Sequence, residues 1–574
     1  MKSKRLFIFV LTLVLSLFSA TACSPDKEAP ADLVLRNAKI YTVDAARGLA
    51  QSLAVRDGRF VYVGKGKGVS RFIGNETRVM DLGGKLVLPG FIDSHCHPSA
   101  GAQQFGAAPL TGLRSLEDYQ KAIREFMTAR PGLKVVRGRG WSNTVFGAKG
   151  PTKEMLDAVV RDIPASMNSE DGHSKWVNSL ALRLAGVTRT TKSPEGGVIE
   201  RDPATGEPTG TLRESAARLV ASVVPDFSAA ELADGIVEYQ KMALRFGITT
   251  AHEAVVGLRE DESLAAFEAL EREGKIRMRY RASIQVDPEL DLSQVRDLVV
   301  EREKHKNPLF QTTGAKIFVD GVVEGQTAFL KEAYAHRPGF RGEPLWRLAD
   351  LVSMCAALDK EGFQLHFHAI GDAAVAEALD GIAGAVKANG PRDRRPLITH
   401  LQLVLPDDIR RFKDLGVIAV PQPFWFQKDD YYHNLQVPFL GQKRADEEYP
   451  MASFFAASVP VASASDYPVT IPCDPLRAIQ LGITRTRPGD SGPGAVLWPE
   501  ERVTLEQMIA SFTIFGAAAN FLEKETGSIE TGKSADLVVL DRDLFGIPAD
   551  TIGEARVVLT VFRGKIAGEE RFPE

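Results

Sequence analysis

Two histidines separated by one residue follow an apolar segment near the start of the chain. They are His95 and His97, in the sequence Gly90-Phe-Ile-Asp-Ser-His-Cys-His-Pro98. Residues i and i+2 of a strand lie on the same face, so both imidazoles would point to one side and Cys96 to the other. Imidazole nitrogens bind zinc and similar divalent metals. The spacing therefore predicts a metal site at the end of a buried strand.

Four later strand-like segments also end in side chains that bind metals or transfer protons. They are residues 315–319 with Lys316, 364–368 with His366 and His368, 397–402 with His400, and 461–468 with Asp466. Helix-like patterns at 348–360, 375–387 and 406–415 alternate with these strands. Such alternation predicts a parallel sheet, open or closed into a barrel. Barrel active sites lie at the carboxyl ends of the strands, so we expect these side chains to meet at one mouth.

The two ends of the chain have a different pattern, made of short β-rich segments. Residues 31–88 contain a hairpin signal at Asp57-Gly58, and residues 527–567 return to short apolar strands. This pattern predicts one small sheet domain built from both termini. Residues from about 100 to 240 form a long excursion after the first predicted barrel strand, and we interpret them as an insertion.

The N-terminal residues have the features of an export signal. A positively charged start precedes an apolar run at 6–18, which is too short to span a bilayer. Ala20-Thr-Ala22 then precedes Cys23. This fits ordinary signal cleavage, and it also fits a bacterial lipoprotein box, although Ala20 stands where Leu is usual. We predict a signal peptide at 1–22, a linker at 23–30, and an exported protein that is periplasmic or anchored to a membrane by a lipid on Cys23.

Composition excludes several classes of protein. The 574 residues are 25% charged and 44% apolar, as in ordinary globular proteins. The net charge of −4, with no long basic run, argues against a nucleic-acid partner. Besides Cys23, the cysteines are Cys96, Cys355 and Cys473, and their spacing does not indicate a disulfide framework.

Taken together, these segments resemble the amidohydrolase superfamily, in the amidohydrolase-3 branch that contains N-substituted formamide deformylases and related metal-dependent exoenzymes. The resemblance covers roughly residues 32–570. Its markers are residues 88–97, 171–178, 196–199, 208–214, 316–321, 368–372, 465–468 and 527–536. It implies an α/β fold with a (β/α)8 barrel at 89–505, an insertion at about 100–240, and a small β-sandwich. The β-sandwich would combine 31–88 with 506–574, which also holds the last barrel helix.

The resemblance also implies a set of site residues. The implied metal ligands are His95, His97, Lys316, His368, His400 and Asp466. Lys316 matches a lysine that is carboxylated when two metals are bound, and Asp466 and His400 are the implied catalytic residues. If Lys316 instead pairs with Asp320 or Glu324, a one-metal site remains in which His400 acts as a hydrogen-bonding electrophile.

This set of residues makes chemical sense. A free lysine has a pKa near 10.4, and its ammonium would repel divalent cations, whereas the carbamate formed with CO2 is an anion that can bridge them. Metals lower the pKa of bound water towards about 7. Asp466 would accept the proton of the attacking water and pass it to the leaving nitrogen.

Several other residues can be interpreted either as site residues or as structural ones. His366 shares a strand face with His368, and we choose His368 as the ligand from the resemblance. His173 and Trp141 are candidates for substrate binding, but His173 could cap a turn and Trp141 could be packing. The segment Phe424-Trp-Phe426 could line an apolar pocket or fill the core.

The function expected from this sequence is the metal-dependent hydrolysis of a carbon–nitrogen bond other than a peptide bond. An N-acyl or N-formyl amide is the expected small-molecule substrate, and one or two divalent ions, such as zinc, are the expected cofactor. The alternatives are a hydrolytic deaminase on the same scaffold and a non-catalytic ligand-binding lipoprotein. The sequence is also compatible with a homo-oligomer.

Overall fold

The computed structural model of the protein describes residues 28–46, 48–147, 149–169, 174–194, 197–257 and 262–569. The predicted signal peptide at 1–22, Cys23 and His173 lie outside these residues. Within them, every helix is too short or too polar to cross a membrane.

The N-terminal part consists of short strands that precede the first barrel strand. They are β1 (Leu33–Arg36), β2 (Lys39–Tyr41), β3 (Leu49–Ala50), β4 (Ser52–Arg56), β5 (Arg59–Gly64), β6 (Arg78–Asp81) and β7 (Leu86–Pro89). The predicted hairpin is confirmed, because Asp57 and Gly58 join β4 to β5. Both turn residues have positive φ angles, 52° and 76°, as a tight hairpin with this sequence requires.

The first barrel strand is followed by an insertion with a sheet of its own. The elements are β8 (Phe91–Cys96), α1 (Pro98–Phe105), β9 (Ala108–Pro109), α2 (Leu116–Thr128), β10 (Val136–Trp141), α3 (Asn143–Phe146), α4 (Lys153–Asp157), β11 (Ala165–Ser169), β12 (Ser174–Val177), α5 (Ser179–Leu184), β13 (Gly197–Arg201), β14 (Pro208–Glu214) and α6 (Ala229–Arg245). The insertion sheet has the strand order β13-β14-β12-β11-β10-β9. The chain then re-enters the barrel through α6, which begins at a capping box formed by Ser228 and Glu231.

The barrel takes up most of the remaining chain. Its elements are β15 (Ile248–Val256), α7 (Glu262–Arg272), β16 (Arg279–Gln285), α8 (Gln294–Lys304), β17 (Lys306–Asn307), β18 (Phe310–Phe318), α9 (Leu348–Lys360), β19 (Gln364–Ala369), α10 (Asp372–Asn389), β20 (Leu397–His400), α11 (Pro406–Leu415), β21 (Ile418–Val420), α12 (Val437–Leu440), α13 (Gln442–Asp446), α14 (Ala452–Ala456), α15 (Pro475–Thr484), α16 (Leu505–Ser511) and α17 (Ile514–Ala519). The parallel strands follow the order β8-β15-β16-β18-β19-β20-β21.

An extended segment at 461–466 brings the two edges of this sheet together. On one side Val461 forms a parallel bridge with Ala419 of β21. On the other side the backbone N–H of Ser94 donates to the carbonyl of Ser463, at 3.2 Å, and that of Asp466 donates to the carbonyl of His95, at 2.9 Å. The nearly closed parallel sheet fits a (β/α)8 barrel.

The strand β19 is held by two helices that approach each other closely. A Cβ atom at Gly381 of α10 would lie 2.9 Å from the Sγ of Cys355 on α9. At Gly384 it would lie 2.5 Å from Cγ1 of Val352. Glycine is needed at both positions because a side chain would push α9 and α10 apart. Both helices also contact β19, so their close packing supports this strand.

The C-terminal strands complete a sheet begun by the N-terminal residues. They are β22 (Leu537–Leu540), β23 (Val557–Phe562) and β24 (Lys565–Glu569), and the sheet order is β24-β23-β22-β7-β2-β3. A second sheet has the order β5-β4-β1-β6. Side chains of both sheets belong to one buried cluster, including Leu35 and Val55 of one sheet and Leu537 and Val561 of the other. Strands from both ends of the chain therefore lie in one sheet.

Candidate metal centre

Three predicted ligands converge where the barrel closes. The Nε2 atom of His97 lies 3.1 Å from Oδ1 of Asp466, and Nε2 of His95 lies 3.4 Å from the same oxygen. These ligand atoms all lie within 4.8 Å of one another. His95 and His97 project from the end of β8 on one face, as strand alternation predicts. Cys96 projects the other way, with its Sγ 3.6 Å from the hydroxyl of Tyr239 on α6.

The other predicted ligands lie on three adjacent strands across the barrel: Lys316 on β18, His368 on β19 and His400 on β20. The ring centroid of His400 lies 5.1 Å from that of His95 and 4.4 Å from that of His368. The Nζ atom of Lys316 lies 3.5 Å from Nε2 of His95. Nε2 of His368 lies 3.0 Å from the carbonyl oxygen of Gly321. The structure thus brings all six predicted ligands to one end of the barrel.

Lys316 is 1% exposed, and burial lowers the pKa of its amine to about 7. Asp466 acts against this shift by favouring the charged form. The alternative partner Asp320 is engaged elsewhere, because its carboxylate accepts the backbone N–H groups of Phe329, Ile370 and Gly371 at 2.9, 3.0 and 2.9 Å. Burial raises the pKa of Asp320 to about 7 despite these hydrogen bonds. Lys316 therefore has the surroundings that favour a neutral amine.

His400 is oriented by two residues that follow the next strand. Its Nδ1 atom lies 3.0 Å from Oε1 of Gln422, and its ring stacks on Trp425 with centroids 5.7 Å apart and planes at 13°. The backbone of His400 has a φ of 80°, which is unfavourable for a residue with a side chain. Strained backbone of this kind is concentrated at functional sites. Trp425 is half-buried, so the middle residue of Phe424-Trp-Phe426 belongs to the wall of the site and its neighbours to the core.

The loop that carries Asp466 is fixed by another buried carboxylate. Asp93 accepts the backbone N–H of Ser465 at 2.9 Å and also accepts the hydroxyl of Ser465 at Oδ2. Burial raises the pKa of Asp93 to about 6, and the hydrogen bonds from Ser465 oppose the rise. Asp466 itself has a φ of 57°. Asp93 lies two residues before His95, so one strand supplies both a ligand and the anchor of the opposing loop.

On its buried side, His95 contacts a row of polar residues inside the barrel. Its Nδ1 atom lies 2.8 Å from Nε2 of His366. Nδ1 of His366 lies 2.9 Å from the hydroxyl of Ser283, and that hydroxyl lies 2.8 Å from Nε2 of His252. Nδ1 of His252 lies 2.8 Å from Oδ1 of Asn520. His366 therefore supports His95 from within the barrel, and the contact leaves Nε2 of His95 directed at Asp466.

Burial keeps these histidines neutral. It lowers the pKa of His368 to about 3 and that of His252 to about 4, and it lowers the pKa values of His95, His366 and His400 well below the usual value. In its protonated form, Lys316 also lowers the pKa values of His95 and His368. A neutral imidazole keeps a lone pair on one nitrogen, which a metal requires.

The donor set fits a divalent metal. Two imidazole nitrogens and one carboxylate oxygen, all within 4.8 Å of one another, are the ligand types that zinc takes in catalytic sites. Glu253 lies behind them, with Oε2 accepting the backbone N–H of Ser99 at 2.8 Å and Oε1 4.0 Å from Nδ1 of His97. It is therefore placed to orient His97.

One predicted residue, Trp141, does not join this cluster. Trp141 has 0% exposure, packs in the core of the insertion beside Phe146, and donates its indole N–H to the carbonyl of Met167 at 2.8 Å. Its surroundings are those of a packing residue, because it presents no surface to a substrate. His173 and Cys23 lie outside the described residues.

Sequence reasoning missed several residues that contact the predicted ligands or support them through other side chains. Gln422, Ser283 and Asn520 are polar residues buried among apolar ones, but in the sequence they look like ordinary loop or strand residues. For Asp93 a signal was available, because strand alternation puts it on the same face as His95 and His97. An acidic residue on the ligand face of a strand is a candidate for holding the ligands in place.

Comparison with known proteins gives a consistent assignment. The sequence profile of the amidohydrolase family matches residues 78–567. Protein LONG AFTER FAR-RED 3 of Arabidopsis thaliana is 32% identical over 524 residues, covering 90% of this chain and 88% of the plant protein. The N-substituted formamide deformylase of Arthrobacter pascens is 28% identical over 554 residues, covering 94% of this chain and 98% of that protein.

A solved structure supports the same assignment. An uncharacterized metal-dependent hydrolase from Pyrococcus furiosus matches with a TM-score of 0.71 at 26% identity, covering 89% of this chain and 99% of that one. The chain therefore belongs to the amidohydrolase family, and the prediction of a hydrolase acting on carbon–nitrogen bonds is confirmed.

Proposed function

We propose that this protein hydrolyses N-acyl or N-formyl amides at a divalent metal centre formed by His95, His97, Lys316, His368, His400 and Asp466. The observation that carries the proposal is the convergence of His95, His97 and Asp466, whose ligand atoms lie within 4.8 Å of one another at the carboxyl ends of barrel strands. The similarity to an N-substituted formamide deformylase supports the choice of substrate class.

The metal expected from the donor set is zinc, as one or two ions. When bound, it would supply an activated water and would polarise the carbonyl of the substrate. His95 and His97 would hold it through Nε2, because these atoms lie 3.4 and 3.1 Å from the Asp466 carboxylate.

Asp466 is the proton-transfer group in this proposal. Its Oδ1 atom accepts a proton from the attacking water and delivers it to the nitrogen of the substrate as the carbon–nitrogen bond breaks. The products are an amine and a carboxylic acid, which is formate when the substrate is a formamide. The strained loop that carries Asp466 is held by Asp93, so the carboxylate stays in position during the transfer.

Lys316 is proposed to be carboxylated when two metals are bound. With a pKa of about 7, roughly half of its amine is neutral at neutral pH, whereas well under 1% of an ordinary lysine is neutral. The neutral nitrogen adds to CO2 and loses a proton, which gives the carbamate anion. The negative charge then replaces the ammonium that would repel the metals.

Trp425 and His400 are proposed to form one wall of the substrate site. Trp425 stacks on His400 and is half-buried, so part of its side chain is left accessible. An apolar substituent on the amide nitrogen would pack well on such a ring. This wall supports a substrate with a non-polar N-substituent.

We also propose two features at the level of the whole chain. The two terminal sheets that share a buried cluster are proposed to be a β-sandwich. The charged start, the apolar run and Cys23 support export, with a lipid on Cys23 as the means of attachment to the membrane.

The first experiment is elemental analysis of protein expressed without residues 1–22 in the presence of bicarbonate, followed by an activity screen. The screen measures formate and primary amine released from N-substituted formamides and N-acyl amides, and ammonia released from amino-substituted heterocycles. Bound metal with amine release supports the proposal. Ammonia release alone would identify a deaminase, and a metal-free protein without turnover would indicate a ligand-binding role.

A further inference from the structure

A row of four polar residues crosses the interior of the barrel on the buried side of His95. We call these residues the buried relay. They are His366 on β19, Ser283 on β16, His252 on β15 and Asn520 after α17. Each is at most 3% exposed. Barrel interiors are usually filled by branched apolar side chains, so a connected polar row at this place requires an explanation.

The far end of the buried relay fixes the direction of its hydrogen bonds. The Nδ2 atom of Asn520 donates to the carbonyl of Gly516 at 2.9 Å. Its Oδ1 atom therefore faces Nδ1 of His252, at 2.8 Å. A carbonyl oxygen can only accept, so His252 carries its proton on Nδ1. Nε2 of His252 is then left to accept from the hydroxyl of Ser283.

The same direction continues to His95. Since the hydroxyl of Ser283 donates to His252, its oxygen accepts from Nδ1 of His366, at 2.9 Å. His366 then has a lone pair on Nε2, which accepts from Nδ1 of His95 at 2.8 Å. The hydroxyl of Thr399, 3.0 Å from the same Nε2, can donate to it as well and does not reverse the order. His95 is thus protonated on Nδ1 and has its lone pair on Nε2, which faces Asp466.

We propose that Asn520, His252, Ser283 and His366 are positioning residues that fix the tautomer and ring orientation of His95, and thereby keep its Nε2 atom available to a metal. This inference rests on the proposed metal site. A histidine ligand needs a partner on its second nitrogen, and loss of such a partner typically costs about 10–100-fold in metal affinity. Here that partner is His366, and Asn520, three hydrogen bonds further along the buried relay, sets the tautomer of His366.

Ser283→Ala tests the proposal with the loss of one oxygen atom. It removes the group that links His366 to His252, and we expect the dissociation constant for Co²⁺, measured by competition with a chelator, to rise about 10–100-fold. The visible absorption of the bound cobalt should also change. The matched control is Ser463→Ala, which removes an equally buried hydroxyl in the barrel, bonded to Ser511 at 2.7 Å. It should keep the wild-type affinity and spectrum.

Equal cobalt affinities and spectra in Ser283→Ala and Ser463→Ala would overturn the inference. A second measurement needs no variant of the buried relay: nitrogen-15 NMR of labelled histidines in the metal-free wild-type protein. The proposal expects His95, His366 and His252 all to be protonated on Nδ1, and a proton on Nε2 of any of them would overturn it. If the wild type binds no cobalt at all, the proposed function and this inference both fail, whereas equal affinities in the two variants overturn the inference alone.

Discussion

The amine of Lys316 lies 3.5 Å from Nε2 of His95, and both side chains are buried. A protonated Lys316 would donate to the lone pair with which His95 is proposed to bind a metal. The same nitrogen therefore serves either as an acceptor for the lysine or as a metal ligand. Metal loading and the loss of the Lys316 proton are thus coupled in the proposed site.

The first prediction concerns this lysine. In Lys316→Ala we expect one bound metal where the wild type, loaded in the presence of bicarbonate, binds two, because the bridging carbamate is removed. Elemental analysis measures the stoichiometry. Lys428→Ala is the control, since Lys428 is a half-buried lysine that pairs with Asp446 at 2.7 Å and is not among the predicted ligands. A full complement of metal in Lys316→Ala would rule out a bridging carbamate.

The second prediction concerns the proton-transfer group. Asp466→Asn should lower kcat by about 10²–10⁴-fold with the metal still bound, because general acid–base groups contribute that much. Steady-state kinetics and metal analysis on the same sample measure both effects. Asp474→Asn, a change at a half-buried aspartate whose side chain caps α15, should leave kcat unaltered. Near-normal turnover in Asp466→Asn would remove this residue from the mechanism.

The third prediction concerns the connection between the barrel and the terminal sheet. Arg279 at the start of β16 and Asp536 before β22 form a buried ion pair at 3.0 Å. Arg279→Met leaves Asp536 without its charged partner and should lower the free energy of unfolding by about 3–5 kcal/mol. The exposed pair of Lys241 and Glu238 offers the comparison, and Lys241→Met should have a much smaller effect. Thermal unfolding of both variants measures the difference, and equal midpoints would contradict the prediction.

The fourth prediction is a pH dependence of stability. Burial raises the pKa of Asp474 to about 6, above its value in the unfolded chain. The native state therefore binds the proton more tightly, so this stabilisation is complete below about pH 3.8 and is lost as the pH rises through 6. Asp474→Asn imitates the protonated form and should gain stability relative to wild type between pH 4 and pH 7. Thermal midpoints across this range measure it, and a constant difference would contradict the assignment.

The fifth prediction concerns the N-terminus. If Cys23 carries a lipid, Cys23→Ala should move the protein from the membrane fraction to the soluble fraction of an expressing bacterium. Cys355→Ala removes a buried thiol on α9 and should leave the distribution unchanged. Fractionation followed by immunoblotting measures both. A wild-type protein that is already soluble would exclude the anchor.

The sequence by itself determined several local elements and pointed to the candidate ligands. Helices α9 and α11 occupy the residues predicted for them, because apolar periodicity and end signals such as Gly416, with a φ of 66°, are local properties. The pairs His95 with His97 and His366 with His368 were also readable, since strand alternation places each pair on one face. Choosing His368 as a ligand, however, required the resemblance to a family.

Only the tertiary structure decided how these residues are supported. Asn520 and His252 lie 268 positions apart in the chain, and Gln422 follows β21 whereas Ser283 lies in β16, so no local pattern connects them with the predicted ligands. Trp141 was a candidate for substrate binding, but it lies in a hydrophobic core, because the insertion buries it among its own strands. The sequence specifies the type of each side chain, but the contacts of that side chain depend on which strands lie side by side in the barrel.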